Sequence, residues 1–230
     1  MNVSAEEHLT SGQLLKSITN LRRHYRKSIV GKERNFEKDY VIGKIIGEGA
    51  FSKVHECTCL LTGRKFAVKV IKVKNISEER STFLGELAVS SSINHRNLCT
   101  LVDVYATESR IYAVHEMAEC DLFDKFSEVN GFDENTTRNI VRQILKGVAY
   151  LHEAGYVHRD IKVENILYFG PNSEEKIKLG DFGFTKKLDE LNEKYFKTKN
   201  NDFCGTAHYI PPEILKGEKY TYEADIWSLG

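Results

Sequence analysis

One stretch constrains this chain more than any other: His158-Arg159-Asp160-Ile161-Lys162-Val163-Glu164-Asn165, with Asp181-Phe182-Gly183 following it. An acid, a lysine and an asparagine share one short segment, and a second acid stands downstream ahead of a glycine. One carboxylate to orient an attacking hydroxyl, a cation beside the moving group and two oxygen ligands for metal are what phosphoryl transfer from a magnesium nucleotide requires. Short motifs of this kind recur by chance, so the weight lies in their order and in what flanks them.

Composition sets the bounds. The chain has 230 residues, 41% hydrophobic and 29% charged, enough to bury a core. The formal net charge is zero, so no overall attraction to nucleic acid is expected. No apolar run reaches the roughly 18 residues of a membrane span. The opening MNVSAEEHLT lacks the apolar region of a secretory signal. Cys57, Cys59, Cys99, Cys120 and Cys204 are scattered. Cys57 and Cys59 alternate on one expected strand, without a second pair to complete a metal site. Reduced, packing cysteines and a cytoplasmic location are the expectation.

Residues 1–39 form an extension. Leu9, Leu14, Ile18 and Leu21, with Leu15, follow helical spacing, and Arg22, Arg23, Arg26 and Lys27 follow them. Two readings stand: a solvated amphipathic helix capping the domain, or a regulatory contact with an anionic surface. From Tyr40 the pattern turns to strands. Gly47-Glu48-Gly49 makes a turn, 53–57 runs back, Leu61-Thr62-Gly63-Arg64 turns again, and 65–71 reads as a buried strand. Residues 78–93 read as a helix and Ile111–Met117 as a strand. Beyond Asp133, an N-cap by its chemistry, Ile140, Ile144, Leu145, Val148 and Leu151 make an apolar stripe at helical period. Strands first and helices later predict an α+β chain of two lobes, about 40–117 and 118–230.

Gly47-Glu48-Gly49-Ala50-Phe51-Ser52-Lys53-Val54 stands between strands, where glycines let backbone N–H groups approach phosphate oxygens. A dinucleotide-binding reading would need a helix directly after it, and the sequence offers a strand. Lys69, in Ala67-Val68-Lys69, has apolar neighbours and needs a carboxylate partner. Glu86, on the next expected helix, is the match.

Taken together, these pieces resemble the signature set of the protein kinases over residues 40–230. The resemblance implies a two-lobed protein kinase fold, a small antiparallel sheet lobe with one helix and a mainly helical large lobe. It also implies ATP and Mg2+ as cofactors. In it Asp160 orients the hydroxyl, and Asn165 and Asp181 hold metal. Gly47 to Ser52, Val54, Ala67, Lys69 and Glu86 serve the nucleotide, as do His115, Glu116, Met117, Asp121, Glu164 and Leu167. Glu86 precedes His95-Arg96-Asn97 at the family's interval.

Lys162 marks the serine/threonine branch. Ser52 in place of a third glycine, Leu122-Phe123-Asp124 and Tyr150-Leu151-His152 resemble its calmodulin-dependent group. Cys204-Gly205-Thr206-Ala207-His208-Tyr209-Ile210-Pro211-Pro212-Glu213 resembles the peptide-binding segment, with Ala207 and Pro211 departing from the usual pattern. Thr206 is expected to bond the Asp160–Lys162 pair, and Glu213 to seek an arginine beyond Gly230. Val163 stands where the family has proline. His115 holds the position before the hinge, where reaching toward the adenine and packing both stand as readings. Ser90 replaces an apolar residue expected against Leu101, Phe182 and His158.

The expected function is ATP-dependent transfer to serine or threonine hydroxyls of proteins. A basophilic preference is expected from Asp121 and Glu164, and a calmodulin-type partner stays open. Two alternatives are a pseudokinase scaffold without turnover and a small-molecule phosphotransferase, which usually lacks the peptide-binding segment. Asp202 is expected to offer Arg159 a built-in negative charge in place of a loop phosphate, with Thr198 as a nearby phosphosite. Asp225-Ile226-Trp227-Ser228-Leu229-Gly230 reads as the start of the family's central buried helix, with the rest of the large lobe missing. Residues 1–230 are expected to be inactive alone.

Overall fold

The structure is a computed structural model that describes residues 35–48, 52–72, 76–170, 176–188, 196–197 and 206–230; at 76–82, 196–197 and 207 only the backbone is described. The expectations placed on residues 1–34, Gly49, Ala50, Phe51, Thr198, Asp202, Cys204 and Gly205 lie outside the described residues. The chain divides into two compact units, one holding Leu101–Glu116 and the strands before Arg80, the other Ser81–Thr100 and Met117–Gly230.

The first unit is a five-stranded antiparallel sheet of β1 (Tyr40–Glu48), β2 (Ser52–Cys59), β3 (Lys65–Lys72), β4 (Leu101–Ala106) and β5 (Arg110–Glu116), in spatial order β1-β2-β3-β5-β4. A short helix, α1 (Phe36–Asp39), leads into it, with Asn35 accepting from the Glu37 N–H at 3.0 Å as N-cap. Phe36 stacks on Tyr112 (ring centroids 4.3 Å apart) and on Tyr40 (5.4 Å), with Tyr105 edge-on at 5.5 Å. Each such pair adds about 0.5–1.5 kcal/mol beyond its buried area. These rings close one face of the sheet over Cys57, Val68 and Val114. The Tyr105 hydroxyl lies within hydrogen-bond reach of Asp39 Oδ2 (2.6 Å) and Asp103 Oδ2 (3.0 Å), so the aromatic cluster has a polar anchor. β3 is less buried than its apolar run suggests: only Val68 and Ile71 are fully covered. β1 lies at the sheet's edge and leaves Val41, Ile42, Ile45 and Ile46 exposed.

The second unit is built on two helices. α2 (Ile76–Ser92) contributes Val89, and α4 (Glu134–Glu153) contributes Ile140, Ile144, Val148 and Leu151; α3 (Leu122–Glu128) lies between them in the chain. Asp133 caps α4, accepting from the Thr136 N–H at 2.7 Å, as the sequence predicts. The expected stripe needs one correction. Leu145 is 41% exposed, and Gly147 joins the buried face instead. Leu145 follows Ile144 by about 100° around the axis, which turns it off the face. A Cβ at Gly147 would stand 2.8 Å from the Asn97 carbonyl oxygen, so only glycine lets the 95–98 segment lie against the helix. That segment is tied to β9 (Lys176–Leu179): Asn97 Nδ2 donates to the Ile177 carbonyl (2.8 Å), and Leu179 N–H to that of Asn97 (2.9 Å).

Three small sheets complete the unit. β6 (Cys120–Asp121), β8 (Ile166–Phe169) and β9 form one; β7 (Tyr156–Val157) pairs with β10 (Lys186–Lys187), and β11 (Phe196–Lys197) with β12 (Lys219–Tyr220). After α5 (Pro212–Leu215) comes α6 (Glu223–Leu229), whose burial is one-sided. Ala224 and Asp225 are buried, whereas Ile226 and Trp227 are more than half exposed.

Among the described residues, Cys57, Cys59, Cys99 and Cys120 are free, and no helix is long and apolar enough to cross a membrane.

Candidate active site

The 158–165 segment leaves β7 in a conformation the backbone resists. Arg159 has φ +69°, a left-handed value that costs a non-glycine residue about 1 kcal/mol or more. Asp225 of α6, fully buried, compensates. Its Oδ2 accepts from the His158 N–H (2.9 Å) and its Oδ1 from the Arg159 N–H (2.8 Å), while His152 Nε2 lies 2.8 Å from Oδ2. The Asp160 N–H donates to His158 Nδ1 (3.3 Å), so that nitrogen is the acceptor and Nε2 carries the proton toward the Gly180 carbonyl (3.1 Å). The buried imidazole is thereby fixed in one tautomer and sits edge-on to Phe182, with centroids 5.6 Å apart.

Asp160 is 4% exposed, and its two carboxylate oxygens differ. Oδ2 takes the Lys162 ammonium at 3.1 Å and the Asn165 amide at 2.9 Å. Oδ1 takes only a long 3.4 Å contact from the Thr206 hydroxyl, which itself accepts from Lys162 Nζ at 2.9 Å. The expected Asp160–Lys162–Thr206 linkage is therefore present. Oδ2 is occupied, and Oδ1 is the oxygen open to a further donor.

Asn165 Nδ2 donates to both the carbonyl (2.8 Å) and Oδ2 of Asp160, which turns its Oδ1 away as a spare oxygen ligand. The Gly180 N–H donates to the Asn165 carbonyl at 2.8 Å, bringing Asp181 within one residue of it. Asp181 is exposed and also left-handed (φ +53°), its Oδ1 accepting from the Gly183 N–H at 3.2 Å; its neighbour Phe182 is buried. Glu86 of α2 is buried and faces Gly183: a Cβ there would stand 3.7 Å from its Oε2. Magnesium binds through one or two carboxylates plus phosphate oxygens, and an exposed Asp181 with a spare Asn165 oxygen fits that demand.

In the first unit, register does the placing. Gly47 pairs with Val54, Val54 with Lys69, and Ala67 with His115. Directly paired residues, and residues two apart, share a face, so Gly47, Val54, Ala67, Lys69 and His115 fall on one side of the sheet. Ser52 pairs with Ile71, and Glu116 with Phe66. The Glu48 side chain ion-pairs with Lys53 at 2.8 Å, and that bond holds its carboxyl below the usual range.

Asp121 has a local duty the sequence did not suggest: its side chain caps α3 through the Asp124 N–H at 2.8 Å. It pairs with Leu167 in the small sheet, so these two expected nucleotide residues are adjacent. Met117 is half-buried, and Glu164 is exposed on the 3-10 turn Val163–Asn165. Ser90 is buried, and its hydroxyl has no hydrogen-bond partner among the described residues.

The residue that sequence reasoning missed is Asp225. A carboxylate among Ala224, Ile226 and Trp227 is its signal, because a charge placed in an apolar helix needs buried donors.

The protein kinase domain model matches residues 40–230. The chain is 37% identical over 192 residues to serine/threonine-protein kinase H1 of Homo sapiens, covering 83% of this chain and 44% of that protein. Its homolog in Danio rerio is 35% identical over 211 residues, 90% of this chain and 49% of that one. A probable myosin light chain kinase of Dictyostelium discoideum is 37% identical over 198 residues, 85% and 55% respectively. The chain thus spans about half the length of the curated relatives it matches. With the strands, the Asp160 carboxylate, Asn165 and Asp181 in the family's order, this chain belongs to the protein kinase family, on the serine/threonine side and similar to its calmodulin-dependent type.

Proposed function

We propose that this protein transfers the γ-phosphoryl group of Mg-ATP to serine or threonine hydroxyls of proteins. The observation that carries the reading is the inequality of the two Asp160 oxygens. Oδ2 is fixed by Lys162 and Asn165, which leaves Oδ1 to accept the hydrogen bond of an acceptor hydroxyl and align it. Lys162, bonded to Thr206, brings a positive charge next to the same carboxylate, where it can offset charge on the moving group. Asn165 and Asp181 are the residues to hold magnesium. When bound, the metal neutralises charge on the phosphates. In the strand unit, Lys69 is the phosphate partner. Gly47, Val54 and Ala67 share its face and supply a surface for the nucleotide, with the Gly47–Ser52 turn over the phosphates. Glu116, Met117 and Leu167 are the residues for the adenine side, and His115 stands before them. Asp121 and Glu164 support a preference for basic substrates; Asp121 does so with one oxygen already committed to capping. The free cysteines support a reducing compartment such as the cytoplasm.

The test is transfer of labelled γ-phosphoryl from Mg-ATP to a library of serine, threonine and tyrosine peptides with varied flanking charge, using the protein at its full natural length. Label on serine or threonine, enriched next to arginine, is the expected result. A Mg-ATP thermal shift without any transfer would instead support a nucleotide-binding scaffold.

A further inference from the structure

Arg159, next to the carboxylate that the proposed reading makes catalytic, is held by its side chain as well as its backbone. Its Nε donates to the Phe184 carbonyl at 2.7 Å and its Nη1 to the Tyr220 hydroxyl at 3.1 Å. Tyr220 lies on β12, 4% exposed, in an apolar cluster with Val157, Leu188, Ile214 and Ala224. A phenylalanine would satisfy that cluster equally well. The hydroxyl is the part that apolar packing does not explain, and a buried hydroxyl needs a partner. Arg159 supplies one and gains a fixed direction in return. Tyr220 also pairs with Phe196 of β11, in the segment that follows Phe184. One side chain therefore joins three pieces of the second unit: the Asp160 loop, the Asp181–Phe184 turn through Arg159, and the strand pair below.

We infer that Tyr220 is a positioning residue, whose hydroxyl holds the Arg159 guanidinium and through it the relative placement of Asp160 and Asp181. The effect on turnover rests on the proposed kinase reading; the placement does not. A hydrogen bond to a charged group is strong enough that its loss slows a step depending on that placement by about 10-fold or more.

The experiment compares Tyr220→Phe, Arg159→Lys and the double variant in the full-length protein. Tyr220→Phe keeps the ring and its apolar neighbours, so the fold is retained. The expected results are kcat down about 10-fold with KM for ATP within about twofold, and faster amide exchange at Thr185 and Leu188, whose N–H groups bond Phe182 and Gly155. The double variant should be no worse than Arg159→Lys, because both changes remove one shared bond. Unchanged exchange at these amides, additive losses, or a change confined to KM would each overturn the assignment. Should the wild-type protein transfer no phosphate, the kinase reading falls, and the exchange comparison still decides the role of Tyr220.

Discussion

The strand unit and the helical unit hold their functional groups still by different means. In the sheet, main-chain register sets the face and position of Lys69, Ala67 and Val54, and the edge strand β1 leaves several apolar side chains exposed. In the helical unit, Asp160 and Asp181 stand on left-handed or tightly bonded loops that would relax without support, and the support is buried, charged and distant in sequence. A register tolerates substitution on its exposed positions, since the ladder bonds are main-chain. A clasp built on one carboxylate does not. The difference teaches where this molecule is fragile: at Asp225 and its partners, well away from the most exposed residues.

The sharpest way to break that contrast is Asp225→Ala. Three donors within 2.9 Å lose their acceptor, two of them main-chain N–H groups of the 158–165 segment. Losing one side of a buried charged network costs about 3–5 kcal/mol. Hydrogen exchange should show protection lost across 156–170 and 176–188 while β2, β3 and β5 keep theirs; equal loss in both units would mean that the two are not separately held.

Gly147→Ala comes next. The added methyl would meet the Asn97 main chain at 2.8 Å, and a backbone neighbour cannot swing aside. Overpacking of this kind costs about 1–3 kcal/mol, against a helix-propensity gain of about 0.5–1. A lower urea midpoint is expected, and a higher one would show that the 95–98 segment is loosely seated.

Ser90→Ala should move stability the other way. Its buried hydroxyl has no partner among the described residues, and removing an unsatisfied polar group recovers about 1 kcal/mol. A thermal melt that rises by a few degrees agrees with this; a fall would mean the hydroxyl is bonded.

The smallest effect concerns two thiols on one strand. Burial pushes Cys57 up to about 12, whereas the Thr62 hydroxyl holds the half-buried Cys59 below its ordinary value. Iodoacetamide at neutral pH should alkylate Cys59 first and leave Cys57 intact until unfolding. Labelling of Cys57 in the native protein would show that the sheet opens more readily than its core packing implies.

Much of this could be read from the chain itself, because the signals are local. Alternation and turn residues delimit β1 to β3, Asp133 and the apolar spacing announce α4, and the acid–lysine–asparagine run marks the loop. What escaped the sequence is what local pattern does not encode. The Phe36–Tyr40–Tyr105–Tyr112 cluster joins residues from both ends of the first unit. Asp225 meets His158 and Arg159 across more than 60 positions. Asp121 was legible as an acid but not as a helix cap, since α3 is short and its start is set by pairing with β8. Leu145 was misplaced because two adjacent apolar residues, Ile144 and Leu145, leave the phase of a helix ambiguous to within one position.

On the proposed reading, chemistry resides in the clasped loop and nucleotide holding in the strand register. The most direct measurement is kcat and nucleotide Kd, taken side by side for Asp160→Asn and Lys69→Met in the full-length protein. The prediction is a kcat loss of about 100-fold or more for Asp160→Asn with Kd for Mg-ATP within about twofold, and a loss of transfer accompanied by weaker nucleotide binding for Lys69→Met. An Asp160→Asn protein that keeps more than about a tenth of wild-type kcat would contradict it.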